Sequence, residues 1–175
     1  MKFNRRLVLA SSSPRRQYLM KEVGFDFTVE KPLVDEIFPE HLPTDQVARY
    51  LAELKAEYFR PNMRDEVIVT ADTVVILDGK ILNKPADRNE AIEMLSSLAG
   101  RTHRVMTGVS IMSAEKEETF DDTTDVTFEP LSKKEIEHYI DNFKPFDKAG
   151  AYGAQDCLPE NYNPCSAEEL AFLKR

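Results

Sequence analysis

The chain has 175 residues, 42% hydrophobic and 31% charged, enough to bury a core and too apolar for a disordered chain. A formal net charge of −8 argues against a nucleic-acid coat, which needs a basic face, and confines any anion site to a local pocket. No apolar run is long enough to span a membrane, and Leu7–Ala10 is too short for a secretory h-region, so a cytoplasmic location is expected. In that compartment Cys157 and Cys165 stay reduced, and no histidine stands beside them at zinc spacing.

In chain order, Leu7–Ala10 reads as a short buried strand. It is followed by Ser11-Ser12-Ser13-Pro14-Arg15-Arg16 and a helix through about Val23. Ser13 suits the N-cap and Pro14 the first helical position. A second helix is predicted from Thr44 to about Phe59, with Val47, Leu51, Leu54 and Tyr58 on one stripe. Val67–Leu77 and Ile81–Leu82 flank Asp78-Gly79, a hairpin signal. Asp87 opens a third helix with Glu90 in an acidic capping box, and Gly100 ends it.

Residues 103–112 alternate as a strand, 115–118 form a polar turn, and 123–128 return as a second strand. Ser132 and Glu135 form a capping box for a helix that turns Ile136, Ile140 and Phe143 inward. Gly150–Gly153 reads as a loop, and Ser166–Glu169 caps a last helix to Arg175. Helices interspersed with hairpins favour one α/β domain with a mixed sheet and flanking helices.

Several residues stand out chemically. A strand, small hydroxyl residues and a helix N-terminus can cradle phosphate on backbone N–H groups, and Arg15 or Arg16 would add forked contacts to its oxygens. The alternative is a capped surface helix with solvated arginines. Asp72 interrupts an apolar run that should be a central strand, where a carboxylate is costly unless paired or functional. Glu36, in Asp35-Glu36, is by itself a surface acid; across a cleft from Asp72 it could supply oxygen ligands for Mg²⁺. Lys55 lies about 40° from Leu51 around its helix, where a snorkelling stem is the simple reading. Lys84, before Pro85, reads as a solvated turn lysine, and His103 as a hydrogen-bonded core histidine. No P-loop, dinucleotide fingerprint or H-E-x-x-H motif is present.

Five segments in order make the chain resemble the Maf family of nucleotide pyrophosphatases. They are Leu9–Arg16, Ala71-Asp72-Thr73, Lys84-Pro85, Gly100–His103 with Thr107-Gly108, and Asp147–Gln155. The resemblance implies a fold related to the inosine-triphosphate pyrophosphatases, with two lobes around a cleft and often a homodimer. It implies hydrolysis of a nucleoside triphosphate between the α and β phosphates, assisted by a divalent cation, Mg²⁺ or Mn²⁺.

Ala71–Thr73 and Lys148–Gln155 look like the subgroup acting on dTTP and UTP rather than the one acting on 7-methyl-GTP. Asp72 matches the family's catalytic acid and Glu36 its partner carboxylate, together the expected metal ligands. Ser11, Arg15, Lys55 and Lys84 match phosphate-contacting positions, which Arg16 adjoins. Arg15, Thr73 and Gln155 match those that set base preference. Residues 156–165 resemble an insertion, and the family runs beyond Arg175 through a strand and a closing helix. A single domain over 1–175 without those two elements is the expectation. The rival from another class is a nucleotide-binding regulator of cell division and septum formation that lacks turnover.

Overall fold

The apolar run Val67–Leu77 and the alternating residues 103–112 become eleven-residue strands at the centre of a mixed sheet in the computed structural model, which describes residues 4–154 and 156. The elements are β1 (Leu7–Leu9), α1 (Pro14–Glu22), β2 (Thr28–Val29), α2 (Val47–Glu57), β3 (Val67–Leu77) and β4 (Lys80–Leu82). There follow α3 (Arg88–Leu98), β5 (Thr102–Met112), β6 (Glu117–Thr127) and α4 (Lys133–Phe143). The sheet runs β2-β1-β3-β5-β6, with β4 also on β3. β1 is parallel to β2 and β3; the β3–β4, β3–β5 and β5–β6 pairs are antiparallel.

β3 is paired with β5 from Ile68 to Ile76, but its other edge is shared. β1 covers it up to Val69, and β4 takes over only at Val75. The stretch between, residues 70–74, has no strand on that side. The sharp return into β4 puts Asp78 at φ 50° and Gly79 at φ 74°, the positive values that a two-residue hairpin turn demands.

The pleat of β3 divides the core. Val74 and Ile76 point to one face and join Met106 of β5 against Val47, Ala48 and Leu51 of α2. Val75 and Leu77 point to the other and meet Leu98 of α3 with Tyr152 and Phe128. α3 and α4 pack together beyond them through Ala91, Leu95, Ile136 and Ile140.

The structure adjusts several sequence expectations. Ser13 occupies the N-cap position of α1, but its side chain makes no capping bond. Asp87 caps α3 by accepting from the Asn89 and Glu90 N–H groups; Glu90 reaches back to the Ala86 N–H, one residue before the cap. The capping box of α4 forms in full. Tyr58 falls past the end of α2 and is 41% exposed, and Phe143 is 37% exposed beside Tyr139 rather than inward. The β5–β6 turn is earlier than expected, because Ser113 organises it by accepting from the Glu115 and Lys116 N–H groups, and β6 therefore starts at Glu117. β2 had no readable pattern, being only two residues long and exposed. The predicted last helix, the inserted loop after Asp156, both cysteines and Gln155 lie outside the described residues.

Candidate active site

Gly108 decides how near α2 comes to the sheet. It sits opposite Asp72, and a Cβ built there would lie 2.4 Å from the Ala48 carbonyl carbon and oxygen. Only the lack of a side chain lets the backbone of α2 rest on β5 at this point. One turn further along, the Thr70 hydroxyl donates to the Ala52 carbonyl at 2.7 Å. With α2 fixed at Ala48 and Ala52, the next turn presents Lys55 directly to Asp72.

Lys55 is 7% exposed and Asp72 8%, and the ammonium donates to the Asp72 carboxylate in a close ion pair. The same ammonium lies 2.8 Å from Glu36, which the 30–40 loop brings over the cluster. Lys84 approaches Glu36 from the turn after β4, at 3.4 Å. A buried pair of this kind is costly to desolvate, and removing one partner strands the other. The snorkelling expectation for Lys55 is thus corrected: its head group is inside, because two carboxylates await it. Asp72 lies in the middle of a regular strand. Burial pushes the Glu36 carboxyl up, but the hydrogen bond and charge of Lys55 and the charge of Lys84 outweigh it, so its pKa falls below the ordinary value.

The helix N-terminus borders the same patch. Arg16 reaches across the uncovered edge of β3, donating from Nη1 to the Ala71 carbonyl at 2.8 Å and from Nη2 to the Thr73 hydroxyl at 2.9 Å. Its Nη1 also approaches the Ser11 hydroxyl at 3.5 Å, and Ser11 Oγ accepts from the Ser13 N–H at 3.2 Å. Burial pulls the Arg16 pKa down, and the negative charges of Asp72 and Glu36 oppose that shift. Arg15 takes a different course and lies over the Tyr18 ring, 5.4 Å from its centroid. Of the two arginines, then, Arg16 is committed to the protein.

On the other sheet face, His103 is a core residue: its Nε2 is 2.7 Å from the Tyr152 hydroxyl, and Phe128 packs edge-on to its ring. Burial lowers the pKa of His103 and raises that of Tyr152. Tyr139 donates to Asp156 at 2.6 Å and accepts from the Gly153 N–H at 3.0 Å. Together these tyrosines anchor the segment that leads to Gln155. Neither contact was legible in the sequence, since both join residues of no common motif; a glycine inside an alternating strand was the available signal for the close approach at Gly108.

The expected cation can be tested against the donors present. Glu36 and Asp72 both touch the Lys55 ammonium, so their hard oxygens already converge on a positive charge. Among the described residues no group of three or more His, Cys, Asp or Glu could hold a metal ion. Two carboxylates with the remaining positions left to phosphate oxygens and water suit Mg²⁺ or Mn²⁺ and not a closed structural site.

The profile of the family described as Maf-like protein matches residues 6–160. The dTTP/UTP pyrophosphatase of Bacteroides thetaiotaomicron is 45% identical over 154 residues, covering 87% of this chain and 80% of that protein. The dTTP/UTP pyrophosphatase of Halalkalibacterium halodurans is 46% identical over 149 residues, covering 85% and 78%. The structure of the Staphylococcus aureus Ham1 protein aligns with a TM-score of 0.47 and 17% identity over 70% of this chain and 71% of that one.

Proposed function

The chain belongs to the Maf-like protein family, and from that membership and the charge cluster on β3 we propose that it is a nucleoside triphosphate pyrophosphatase, hydrolysing dTTP and UTP to the monophosphate and pyrophosphate. The observation that carries the reading is the buried Asp72–Lys55 pair with Glu36 beside it, at the uncovered stretch of β3.

Asp72 is the general base, oriented by Lys55 to take a proton from the attacking water. Lys55 and Lys84 bring positive charge to the triphosphate, and the charge that develops on the leaving pyrophosphate is met by the same groups. Ser11 and Arg15 contact phosphate; the guanidinium of Arg15, free of carboxylate partners among the described residues, supports that role better than Arg16, whose nitrogens serve Ala71 and Thr73. Glu36 and Asp72 would hold Mg²⁺ or Mn²⁺, which when bound neutralises phosphate charge and acidifies a water ligand. Thr73 and Gln155 contribute to base choice. A cytoplasmic homodimer without nucleic-acid partners completes the reading; the charge of −8 supports its last part.

The test is a nucleotide panel of dTTP, UTP, dCTP, GTP and 7-methyl-GTP with Mg²⁺ and with Mn²⁺, scored by pyrophosphate release and identification of the monophosphate. Preference for dTTP and UTP is expected, and Asp72→Asn should lose on the order of 10³-fold in kcat while still binding nucleotide. Preference for 7-methyl-GTP would move the chain to another substrate class. Nucleotide binding without turnover would make it a regulator and not an enzyme.

A further inference from the structure

The Lys55 ammonium stands between two carboxylates: it donates to Asp72 Oδ1 and lies 2.8 Å from Glu36 Oε1. Lys84 Nζ approaches the second Glu36 oxygen, Oε2, at 3.4 Å. Of the carboxylate oxygens in this cluster, Asp72 Oδ2 alone takes no hydrogen bond or ion pair among the described residues. Arg16 stands near enough for the charges of Asp72 and Glu36 to act on it. Two carboxylates thus face three cationic side chains, and the balance of these groups is positive before any nucleotide arrives.

Mg²⁺ and Mn²⁺ seek several hard oxygens at once. In the free protein a divalent ion would meet one clear carboxylate oxygen, beside an ammonium that is 7% exposed and held by both acids. Repulsion between like charges in a site of reduced dielectric opposes such an entry. A triphosphate changes both conditions. Its oxygens offer Lys55 and Lys84 a new anionic partner, and they supply the ligands that two carboxylates lack. The flexible four-carbon stem of a lysine lets the ammonium pass from one anion to the other.

Resting on the pyrophosphatase reading above, we infer that Lys55 is a resident counter-ion for the metal-binding carboxylates. In the free protein it holds the place between Asp72 and Glu36, and a divalent cation enters only together with the phosphates of the nucleotide. The ammonium keeps the buried acids paired while no other cation is there, which spares the fold two stranded charges. Phosphate then draws it away and opens the same oxygens. Metal and nucleotide are therefore bound as a unit, and the coupling between them resides in one side chain.

Binding of Mn²⁺ alone, without nucleotide, tests this through the electron paramagnetic resonance signal of the free ion. The proteins compared are the unsubstituted chain, Lys55→Met, Lys55→Arg, and Lys55→Met combined with Asp72→Asn. Lys55→Met should bind Mn²⁺ about ten-fold more tightly or better, because it uncovers one oxygen of each acid and removes the charge between them. Lys55→Arg keeps that charge and should gain little, and the double variant should lose the gain. Stranded acids will cost Lys55→Met stability, so thermal unfolding gives a second readout: Mn²⁺ should raise its Tm and leave that of the unsubstituted protein unchanged. If Lys55→Met fails to fold, Lys55→Gln carries the same comparison. Micromolar Mn²⁺ binding by the unsubstituted protein, no gain in Lys55→Met, an equal gain in Lys55→Arg, or a gain that survives Asp72→Asn overturns the inference and leaves the pyrophosphatase reading intact. No turnover of any triphosphate by the unsubstituted protein overturns that reading, and the inference with it.

Discussion

Two helices serve the same patch of β3 and are held there in opposite ways. α2 buries Val47, Ala48, Leu51, Ala52, Lys55 and Ala56, whereas α1 buries no residue at all. Apolar packing fixes α2, with Gly108 setting the approach. α1 is tied instead by the side chain of one arginine in its first turn, reaching over a strand edge to Ala71 and Thr73. A helix placed by burial is hard to move and delivers a buried charge accurately. One placed by a polar tether can shift without opening a core, which suits a segment that must adapt to a bulky anion.

The sharpest way to break the contrast is to push on α2. Gly108→Ala forces its new methyl group into backbone atoms of Ala48 and Arg49, which have no rotamer to escape through. A destabilisation of about 1–3 kcal/mol is expected, seen as a fall of several degrees in Tm, with kcat lost as Lys55 leaves register with Asp72. Arg16→Gln should be milder for stability, on the order of 1 kcal/mol. Its mark should be local: faster amide exchange throughout α1, unchanged exchange in α2, and a raised KM. Equal protection loss in both helices would refute the division of labour.

The smallest effect is a pH dependence. The folded state holds the Glu36 pKa below its ordinary value, so the group adds stability that is fully present above the unfolded carboxylate pKa. That contribution is lost as pH falls through the lower folded value. Plots of Tm against pH for the protein and for Glu36→Gln should therefore run apart near neutrality and converge in acid. Parallel curves would mean that Glu36 gains nothing from Lys55.

The same contrast explains what the sequence disclosed. The stripe of α2 and the alternation of β5 were legible because burial imposes a period on the residues that pack, and β3 was legible as an apolar run ending at a hairpin signal. Asp72 was legible as an acid where none belongs. α1 was legible as a helix, but its attachment was not, since an arginine that bonds a carbonyl far along the chain looks like a solvated one. Lys55 misled for the same reason: its position on the stripe is periodic, but what waits inside for its ammonium is supplied by β3 and the 30–40 loop. Motif order supplied the reaction, and local periodicity supplied the scaffold.

β6 ends the sheet among the described residues, with β5 as its one neighbour. An eleven-residue strand with one free side is a template on which another chain could build. This one carries Glu117, Glu118, Asp121, Asp122 and Asp125, of which Glu117 pairs with Arg60, Glu118 with Lys116, Asp121 with Arg49 and Asp125 with Arg104. Charged side chains of both signs along this rim keep it hydrated, and a second strand could pair there only by stripping water from them.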